Sequence, residues 1–350
     1  MDIILDCERM KYPYTGLFEY CHQLGLALLE TKSQGDNLGI YLQRKDQHYF
    51  PADLRFLDQK SLHKFIFPKF DVKIDIWHCT HQTSWYMPPS NRKVKRVLTI
   101  HDLNFLYEEK SEAKRISYLK KHQKNIDLAD HIVAISEFTK NDVIKHLKVD
   151  KPITVIYNGC NVAKFPEYDR PTYQPSRPFL FTLGTVNAKK NFHSLPCLVK
   201  NRDLDLIIAG KIDEGYVAQI MEEAVKHQVQ DQVKILGPVS NEDKYWYYKN
   251  CQAFVFPSLA EGFGIPVIEA MNFGKPVFLS KATSLPEIGG KLAYYFDDFN
   301  YTNMNATFDL GINHYATSHP EEAIIAHANQ FNWMTSALKY WEVYHSLLLS

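Results

Sequence analysis

The chain of 350 residues carries 40 lysines and arginines against 40 aspartates and glutamates, so its formal net charge is zero. A dedicated nucleic-acid-binding protein normally has a marked basic excess, and this balance argues against that class. Hydrophobic residues make up 45% and charged residues 23%, an ordinary globular mixture that argues against disorder as the main state. At roughly 150 residues per domain, the length predicts two domains.

The N-terminus and the cysteines indicate where the protein resides. Residues 1–6, Met-Asp-Ile-Ile-Leu-Asp, have no basic segment and only a short apolar run, so we interpret them as a first strand and not as a signal peptide. No apolar run in the sequence approaches the ~20 residues that span a bilayer. The six cysteines are scattered and form no CxxC pair, which is typical of free thiols in a reducing compartment. We therefore expect a cytoplasmic protein.

The first half of the chain alternates short apolar runs with longer mixed segments. The apolar runs predict strands over residues 3–7, 37–43, 75–79, 97–100, 131–135 and 153–156. The mixed segments predict helices over residues 18–30, 111–129 and 137–147, with Ser136 as the N-cap of the last one. This alternation predicts a mostly parallel sheet covered by helices.

A proline-rich stretch separates the two halves, and we assign residues 166–178 as a linker because they show no periodicity. The alternation then restarts, with predicted strands over residues 179–183, 204–209, 233–236, 253–256 and 277–279. Helices are predicted from Asn191 and over residues 216–227, 242–250 and 265–273. The whole pattern predicts two doubly wound Rossmann-like α/β domains.

Helical periodicity returns after Pro320 and continues close to the C-terminus. Leu338, Trp341, Tyr344 and Leu348 follow one another at roughly helical spacing. We interpret this apolar face as core packing, with a membrane-docking helix as the alternative.

A loop in the second half has the composition of an anion site. An apolar strand ends at Pro257, and Gly262 and Gly264 permit tight turns and the close approach of a ligand. Pro266 suits a first helical turn, where its missing N–H is no loss. The loop amides and the helix N-terminus would therefore face the carboxyl end of the sheet, where they suit a phosphate.

Two carboxylates, Glu261 and Glu269, bracket this predicted phosphate site. A carboxylate close to a bound phosphate is electrostatically unfavourable unless it binds hydroxyl groups. We therefore expect sugar hydroxyls as the partners of both side chains. Further along, residues 284–287, Ser-Leu-Pro-Glu, fit a capping box, with substrate contact by Ser284 as the alternative.

The seven-residue separation of the two glutamates lies within Pro-Ser-Leu-Ala-Glu-Gly-Phe-Gly-Ile-Pro-Val-Ile-Glu-Ala-Met. This segment resembles the signature of retaining family 4 glycosyltransferases (glycosyl transferases group 1). The resemblance implies a GT-B fold, in which two doubly wound Rossmann-like domains face each other across a cleft. It makes residues 1–165 the acceptor-binding domain and residues 179–330 the nucleotide-sugar-binding domain. Residues 331–350 are similar to the closing helix that packs back on the first domain.

The resemblance extends to residues 183–191, Leu-Gly-Thr-Val-Asn-Ala-Lys-Lys-Asn, which are similar to the first loop of the family's second domain. It places Gly184 and Lys190 at the donor diphosphate. Many members have an arginine directly after the glycine, where this chain has Thr185, and we expect Lys189 to supply that positive charge. Gly262, Phe263 and Gly264 complete the implied diphosphate loop.

The remaining implied roles concern the transferred sugar and the ribose. The segment Thr-Ile-His-Asp-Leu, residues 99–103, resembles the stretch that brings a histidine beside the transferred sugar, so His101 and Glu261 are the predicted catalytic residues. Gly16 is similar to the glycine that lets the backbone approach the donor phosphate. Glu269 is expected to accept hydrogen bonds from the ribose hydroxyls.

The resemblance implies a nucleotide sugar as donor, a hydroxyl of a glycan or of a lipid-linked acceptor, and a pathway of lipopolysaccharide or surface polysaccharide synthesis. We expect no metal and no other cofactor. Two alternatives stay open: a related sugar epimerase or phosphorylase, and an inactive homologue that binds sugar nucleotides. The sequence identifies neither the base nor the sugar of the donor.

The net charge of zero is the sum of two opposite charges. Residues 1–170 hold 26 basic and 22 acidic residues, whereas residues 171–350 hold 14 and 18. Two basic clusters, at residues 92–96 and 114–124, lie in the first half. They are interpreted either as solvated surface or as contacts to an anionic membrane or acceptor, which would make the enzyme peripheral at the inner membrane face.

Overall fold

The computed structural model describes residues 1–13, 15–160, 168 and 170–349. The chain divides into two compact units, one formed by Met1–Gly159 with Phe331–Ser350 and the other by Cys160–Gln330. The predicted domain boundary at residues 165 and 166 lies outside the described residues, as do residues 167 and 169 of the predicted linker.

The first unit contains a seven-stranded sheet. Its strands are β1 (Asp2–Asp6), β2 (Asn37–Leu42), β3 (Arg55–Asp58), β4 (Ile76–Cys79), β5 (Lys95–Ile100), β6 (His131–Ala134) and β7 (Ile153–Val155). They are arranged in the order β3-β2-β1-β4-β5-β6-β7, and each neighbouring pair is parallel. The strand order reverses direction between β1 and β4, and ligands of doubly wound sheets bind at such a switch point.

Among the described residues, α-helices lie in three of the six connections between these strands: α1 (Gly16–Thr31), α2 (Glu112–Leu128) and α3 (Glu137–His146). The predicted cap of α3 is confirmed, because Ser136 Oγ accepts a hydrogen bond from the Thr139 N–H at 3.1 Å. The interiors of β1, β2, β4, β5 and β6 are almost fully buried, as is expected where helices cover a parallel sheet, whereas the edge strands β3 and β7 are only partly buried.

The second unit contains a six-stranded parallel sheet. Its strands are β8 (Phe179–Leu183), β9 (Asp205–Ala209), β10 (Val233–Gly237), β11 (Ala253–Phe256), β12 (Val277–Ser280) and β13 (Tyr294–Phe296), in the order β10-β9-β8-β11-β12-β13. Its helices are α4 (Glu214–His227), α5 (Asn241–Asn250), α6 (Ile265–Asn272), α7 (Leu285–Gly289), α8 (Tyr301–Ser318) and α9 (Glu321–Ala328). The switch point lies between β8 and β11.

The structure differs from the sequence prediction after Asn191. Three short 3₁₀ turns, Ala188–Lys190, Phe192–Ser194 and Pro196–Val199, take the place of the predicted helix. Asn191 has a φ of 57°, in the left-handed region, and Pro196 has no N–H to donate, so a continuous α-helix cannot form here. Helix α8 and the short strands β3 and β13 were not predicted.

The last helix, α10 (Trp333–Leu349), belongs to the first unit and packs against α1. Tyr344 is buried and its hydroxyl lies 2.7 Å from His78 Nδ1, while the Trp341 indole N–H donates to Thr31 Oγ1 at 3.1 Å. Core packing is therefore confirmed for these two positions, but Leu338 and Leu348 are exposed. No helix among the described residues combines the length and apolar character needed to cross a bilayer.

Candidate active site

The loop between β11 and α6 carries three of the eight predicted donor-binding residues, Gly262, Phe263 and Gly264, together with Glu261. Gly264 is the N-cap of α6 and has a φ of 116°, in the left-handed region that favours glycine, and Pro266 lies in the first helical turn. The first turn of α6 contains no acidic residue, so the positive end of its helix dipole is not offset there. Gly262, Phe263 and Gly264 are themselves buried. The helix therefore begins at the carboxyl edge of the sheet, as predicted for an anion site.

Hydroxyl groups after β12 hold this loop in place. The Glu261 N–H donates to Thr283 Oγ1 at 2.8 Å. Ser284 Oγ lies 3.0 Å from the Glu261 carbonyl oxygen and 2.9 Å from that of Phe263, and both oxygens accept. Ser284 makes no side-chain cap to α7, so the capping-box prediction is wrong. The Ser284 hydroxyl stabilises the loop between β11 and α6 instead. The sequence did not predict this role because the partners are more than twenty residues away along the chain.

Glu261 forms an ion pair with Lys190. The carboxylate oxygen Oε1 accepts from Lys190 Nζ and also from Ser258 Oγ at 2.5 Å. The lysine side chain is 12% exposed and the glutamate side chain 13% exposed, so water screens the pair far less than it screens a surface pair. The Lys190 ammonium also lies 4.7 Å from the centre of the Phe256 ring. Glu261 and Phe256 therefore hold the Lys190 ammonium in place beside the loop of the predicted phosphate site.

The backbone conformation and the nearby Lys190 require a glycine at position 184. Its φ of 155° lies in the region that L-residues with a side chain rarely adopt, and a Cβ atom there would lie 3.1 Å from Lys190 Cε. A side chain at this position would therefore press on the lysine. The structure brings Gly184, Lys190 and Glu261 together, and their roles toward the donor stay predictions.

Lys189 joins the same two loops through its backbone. Its carbonyl oxygen accepts from the Leu259 N–H at 2.9 Å and from Ser258 Oγ at 3.4 Å. Its side chain is partly exposed, and so its predicted role as a second cation at the diphosphate stays a prediction.

Glu269 lies inside α6 with both carboxylate oxygens engaged. Lys244 Nζ donates to Oε1 at 2.7 Å, and the Tyr248 hydroxyl donates to Oε2 at 2.9 Å. Burial alone would lower the pKa of Lys244, but the Glu269 charge raises that pKa above its usual range. Burial and the same charge raise the pKa of the Tyr248 hydroxyl. Sequence reasoning found Glu269 but not these two partners, which lie on α5 with no motif to mark them.

In the first unit, His101 follows β5 and is buried. Its Nε2 lies 2.7 Å from the Thr80 carbonyl oxygen, which can only accept, so Nε2 carries a proton. Burial lowers the pKa of the imidazole to about 4, despite the opposing effect of the Thr80 carbonyl. The ring packs edge-on against Tyr20, with 4.5 Å between centroids. His101 is therefore neutral near pH 7, with Nδ1 as its acceptor.

The His101 backbone is also engaged. Its N–H donates to Gln82 Oε1 at 3.0 Å, and its carbonyl oxygen accepts from Thr139 Oγ1 at 3.1 Å. These contacts fix the ring at the carboxyl end of β5. Sequence reasoning identified the histidine but not Gln82 and Thr139, which orient it.

Gly16 is the first residue of α1, after the N-cap Thr15. A Cβ atom at Gly16 would meet nothing within 4 Å, so neither packing nor backbone conformation requires glycine there. The open space is what a ligand approaching this backbone would need.

The predicted residues fall into two groups, one in each unit. The second unit holds Gly184, Lys189, Lys190, Glu261, Gly262, Phe263, Gly264 and Glu269, and the first unit holds Gly16 and His101. In the part of the chain that the structure describes, no three His, Cys, Asp or Glu side chains are grouped so that they could hold a metal ion.

Comparison with protein families identifies the class. Residues 167–310 match the model described as glycosyl transferases group 1, and residues 32–164 match the model described as glycosyltransferase family 4. Together the two models span most of both units. The chain belongs to this glycosyltransferase family and is a glycosyltransferase.

Two curated relatives are O-antigen mannosyltransferases. The O-antigen chain mannosyltransferase B of Escherichia coli is 25% identical over an alignment of 376 positions, which covers 95% of this chain and 96% of that protein. The O-antigen chain mannosyltransferase RfbU of Salmonella typhimurium is 27% identical over 200 residues, which cover 55% of this chain and 54% of that protein. The second match therefore spans only about half of each chain.

A solved structure supports the fold. Sucrose-phosphate synthase from Thermosynechococcus elongatus superposes with a TM-score of 0.74 at 16% identity, over 100% of this chain and 99% of that one. With the two parallel sheets, this similarity confirms the predicted GT-B fold.

The protonation state of His101 can be measured directly. Because burial lowers its pKa to about 4, its ring signals should not titrate between about pH 5.5 and about pH 8 in a histidine NMR spectrum. The His101→Asn variant assigns the signals. A titration midpoint near the ordinary histidine value would contradict the neutral assignment.

The open space at Gly16 gives a second prediction. Gly16→Ala should raise the KM for the donor about tenfold if a donor phosphate approaches this backbone, while thermal stability stays the same or rises. Gly215→Ala in the first turn of α4 is the matched control, because its Cβ would meet only Asp213 Oδ1 at 3.5 Å. Unchanged donor kinetics in Gly16→Ala would contradict the assignment.

Proposed function

We propose that the protein is a retaining mannosyltransferase of O-antigen or related surface polysaccharide synthesis. It would transfer mannose from a nucleoside-diphosphate mannose to a hydroxyl of a glycan or lipid-linked glycan. The similarity to the two O-antigen mannosyltransferases supports the sugar and the pathway. The observation that carries the proposal is the cluster of Lys190, Glu261 and the α6 N-terminus at the switch point of the second sheet.

The nucleoside would bind beside Glu269. Lys244 and Tyr248 hold the carboxylate in one orientation, and each carboxylate oxygen has a further lone pair that can accept a ribose hydroxyl. The positive charge of Lys244 offsets the charge of Glu269. A diphosphate bound nearby would therefore experience less repulsion than from an unpaired carboxylate.

The diphosphate would lie against Lys190 and the start of α6. These groups would stabilise the negative charge that develops on the departing diphosphate, in the way that fixed donors stabilise an oxyanion. This is work that a divalent cation performs in other transferases, and so we propose that no metal is required. Lys189 is proposed as the second cation in place of the arginine that Thr185 replaces.

Glu261 and His101 would contact the mannose. Glu261 would orient sugar hydroxyls, and His101 would accept one at Nδ1, since Nε2 and the backbone carbonyl already have partners. In the proposed step, the bond from the anomeric carbon to the diphosphate oxygen breaks and a bond to the acceptor oxygen forms on the same face. The acceptor proton passes to the departing diphosphate.

The proposal is tested with mannose linked to GDP, UDP, ADP and TDP, first by thermal shift and then by turnover with a glycan acceptor. One of these donors should raise the melting temperature and be consumed only when acceptor is present, and NMR of the product should show the donor's anomeric configuration. EDTA should leave the rate unchanged. Inversion would contradict the retaining mechanism, and loss of activity in EDTA that Mn²⁺ restores would contradict the metal-free one. Donor turnover without acceptor would favour an epimerase or phosphorylase.

A further inference from the structure

Residues 62–66, which follow β3 in the first unit, form an exposed apolar segment, the tip. The side chains of Leu62, Phe65 and Ile66 are 63%, 84% and 65% exposed. Phe65 is the most exposed aromatic side chain among the described residues. Single exposed apolar residues are ordinary on protein surfaces, but three large ones within five positions form a patch, and such patches mark contact surfaces.

Residues within and directly after the tip pack against the core of the first unit. Directly after it, Phe67 and Phe70 pack against the buried Trp77, with ring centroids 5.1 and 5.9 Å apart respectively. His63 Nδ1, within the tip, lies 2.7 Å from the hydroxyl of the buried Tyr41. The core of the first unit therefore fixes both sides of the tip, and the exposure of Phe65 and Ile66 is a feature of the fold.

Positive charge surrounds the tip. Residues 60–73 contain four lysines and one aspartate, and all four lysines are exposed: Lys60, Lys64, Lys69 and Lys73. Beside the tip is an open concavity of about 630 Å³, whose lining includes Arg44, Lys60 and Lys69 and one carboxylate, Asp58. The tip offers exposed apolar side chains, and basic side chains lie next to it and line the concavity. This combination suits an anionic phospholipid surface.

We propose that residues 60–73, together with Arg44, form a membrane-docking surface. Phe65 and Ile66 enter the interface between headgroups and acyl chains, where apolar side chains leave water. Lys60, Lys69 and Arg44 bind the phosphates of anionic headgroups at the concavity. A docked first unit would keep the enzyme at the surface that carries a lipid-linked acceptor, but the docking itself does not depend on the proposed sugar transfer.

The two basic clusters noted in the sequence fit this role less well. Arg96 is buried, donates to the carbonyl oxygens of Pro88 and Pro89 and pairs with Asp130 at 3.2 Å, so it serves the fold. The cluster on α2 includes exposed lysines such as Lys120 and Lys124. The most exposed apolar side chains of α2, Ile116 and Tyr118, are less exposed than those of the tip. The α2 face is therefore the comparison surface for the experiment.

The test is co-flotation of the full chain with phosphatidylcholine vesicles, with or without about one third phosphatidylglycerol, at about 0.1 M NaCl. The wild type should float with the anionic vesicles and be released at about 0.5 M NaCl. Phe65→Ser with Ile66→Ser, and separately Lys60→Glu with Lys69→Glu, should each weaken partitioning by roughly tenfold or more. Circular dichroism melts should match the wild type, because all four side chains are exposed.

Two controls make the result specific. Leu310→Ser removes an apolar side chain that is 72% exposed on α8 of the second unit, and Lys120→Glu with Lys124→Glu makes the same charge change on α2. Both should float as the wild type does. The proposal is overturned if the wild type binds no vesicle, if the α2 variant loses binding while the tip variants keep it, or if inorganic phosphate releases the protein better than NaCl of equal ionic strength. No donor or acceptor is present, so failure of the proposed function would leave these outcomes unchanged.

Discussion

The ion pair between Lys190 and Glu261 joins the two loops on which the candidate active site depends. Lys190 follows β8 and Glu261 follows β11, and these strands are neighbours at the point where the order of the second sheet reverses. Their carboxyl ends therefore open side by side, as in other doubly wound sheets that bind ligands. The Lys189 carbonyl oxygen accepts hydrogen bonds from Ser258 and Leu259 across the same two loops, so the position of Lys190 is fixed by the loops around it.

Pairing of charges also explains how a net acidic half could bind an anionic donor. Residues 171–350 hold 14 basic and 18 acidic residues, so the overall field does not attract a diphosphate. Both glutamates of the family signature have a lysine of their own: Lys190 for Glu261 and Lys244 for Glu269. The pairs leave the carboxylate oxygens as acceptors for hydroxyls while offsetting their repulsion of phosphate.

The sequence was sufficient to predict features that are local or repeated along the chain. The strand–helix alternation predicted eleven of the thirteen strands that the structure describes to within two residues, because buried parallel strands are short apolar runs. Features that depend on distant partners were missed: Lys244 beside Glu269, and the hydrogen bond from Ser284 to the loop after β11, where a capping box was predicted. Helix α8 was missed as well, since its mixed polar sequence has few buried positions: Met304, Phe308 and Gly311.

The central claim is that Lys190 and Glu261 act on the donor and do more than neutralise each other, and a double-mutant comparison tests it most directly. Lys190→Met alone leaves a shielded carboxylate unpaired and should lower both the melting temperature and transfer, the latter by about 10²–10³-fold. In Lys190→Met with Glu261→Gln the melting temperature should recover, because no unpaired charge is left, but transfer should stay as low. Recovery of transfer in the double variant would contradict the account, because the pair would then be structural only.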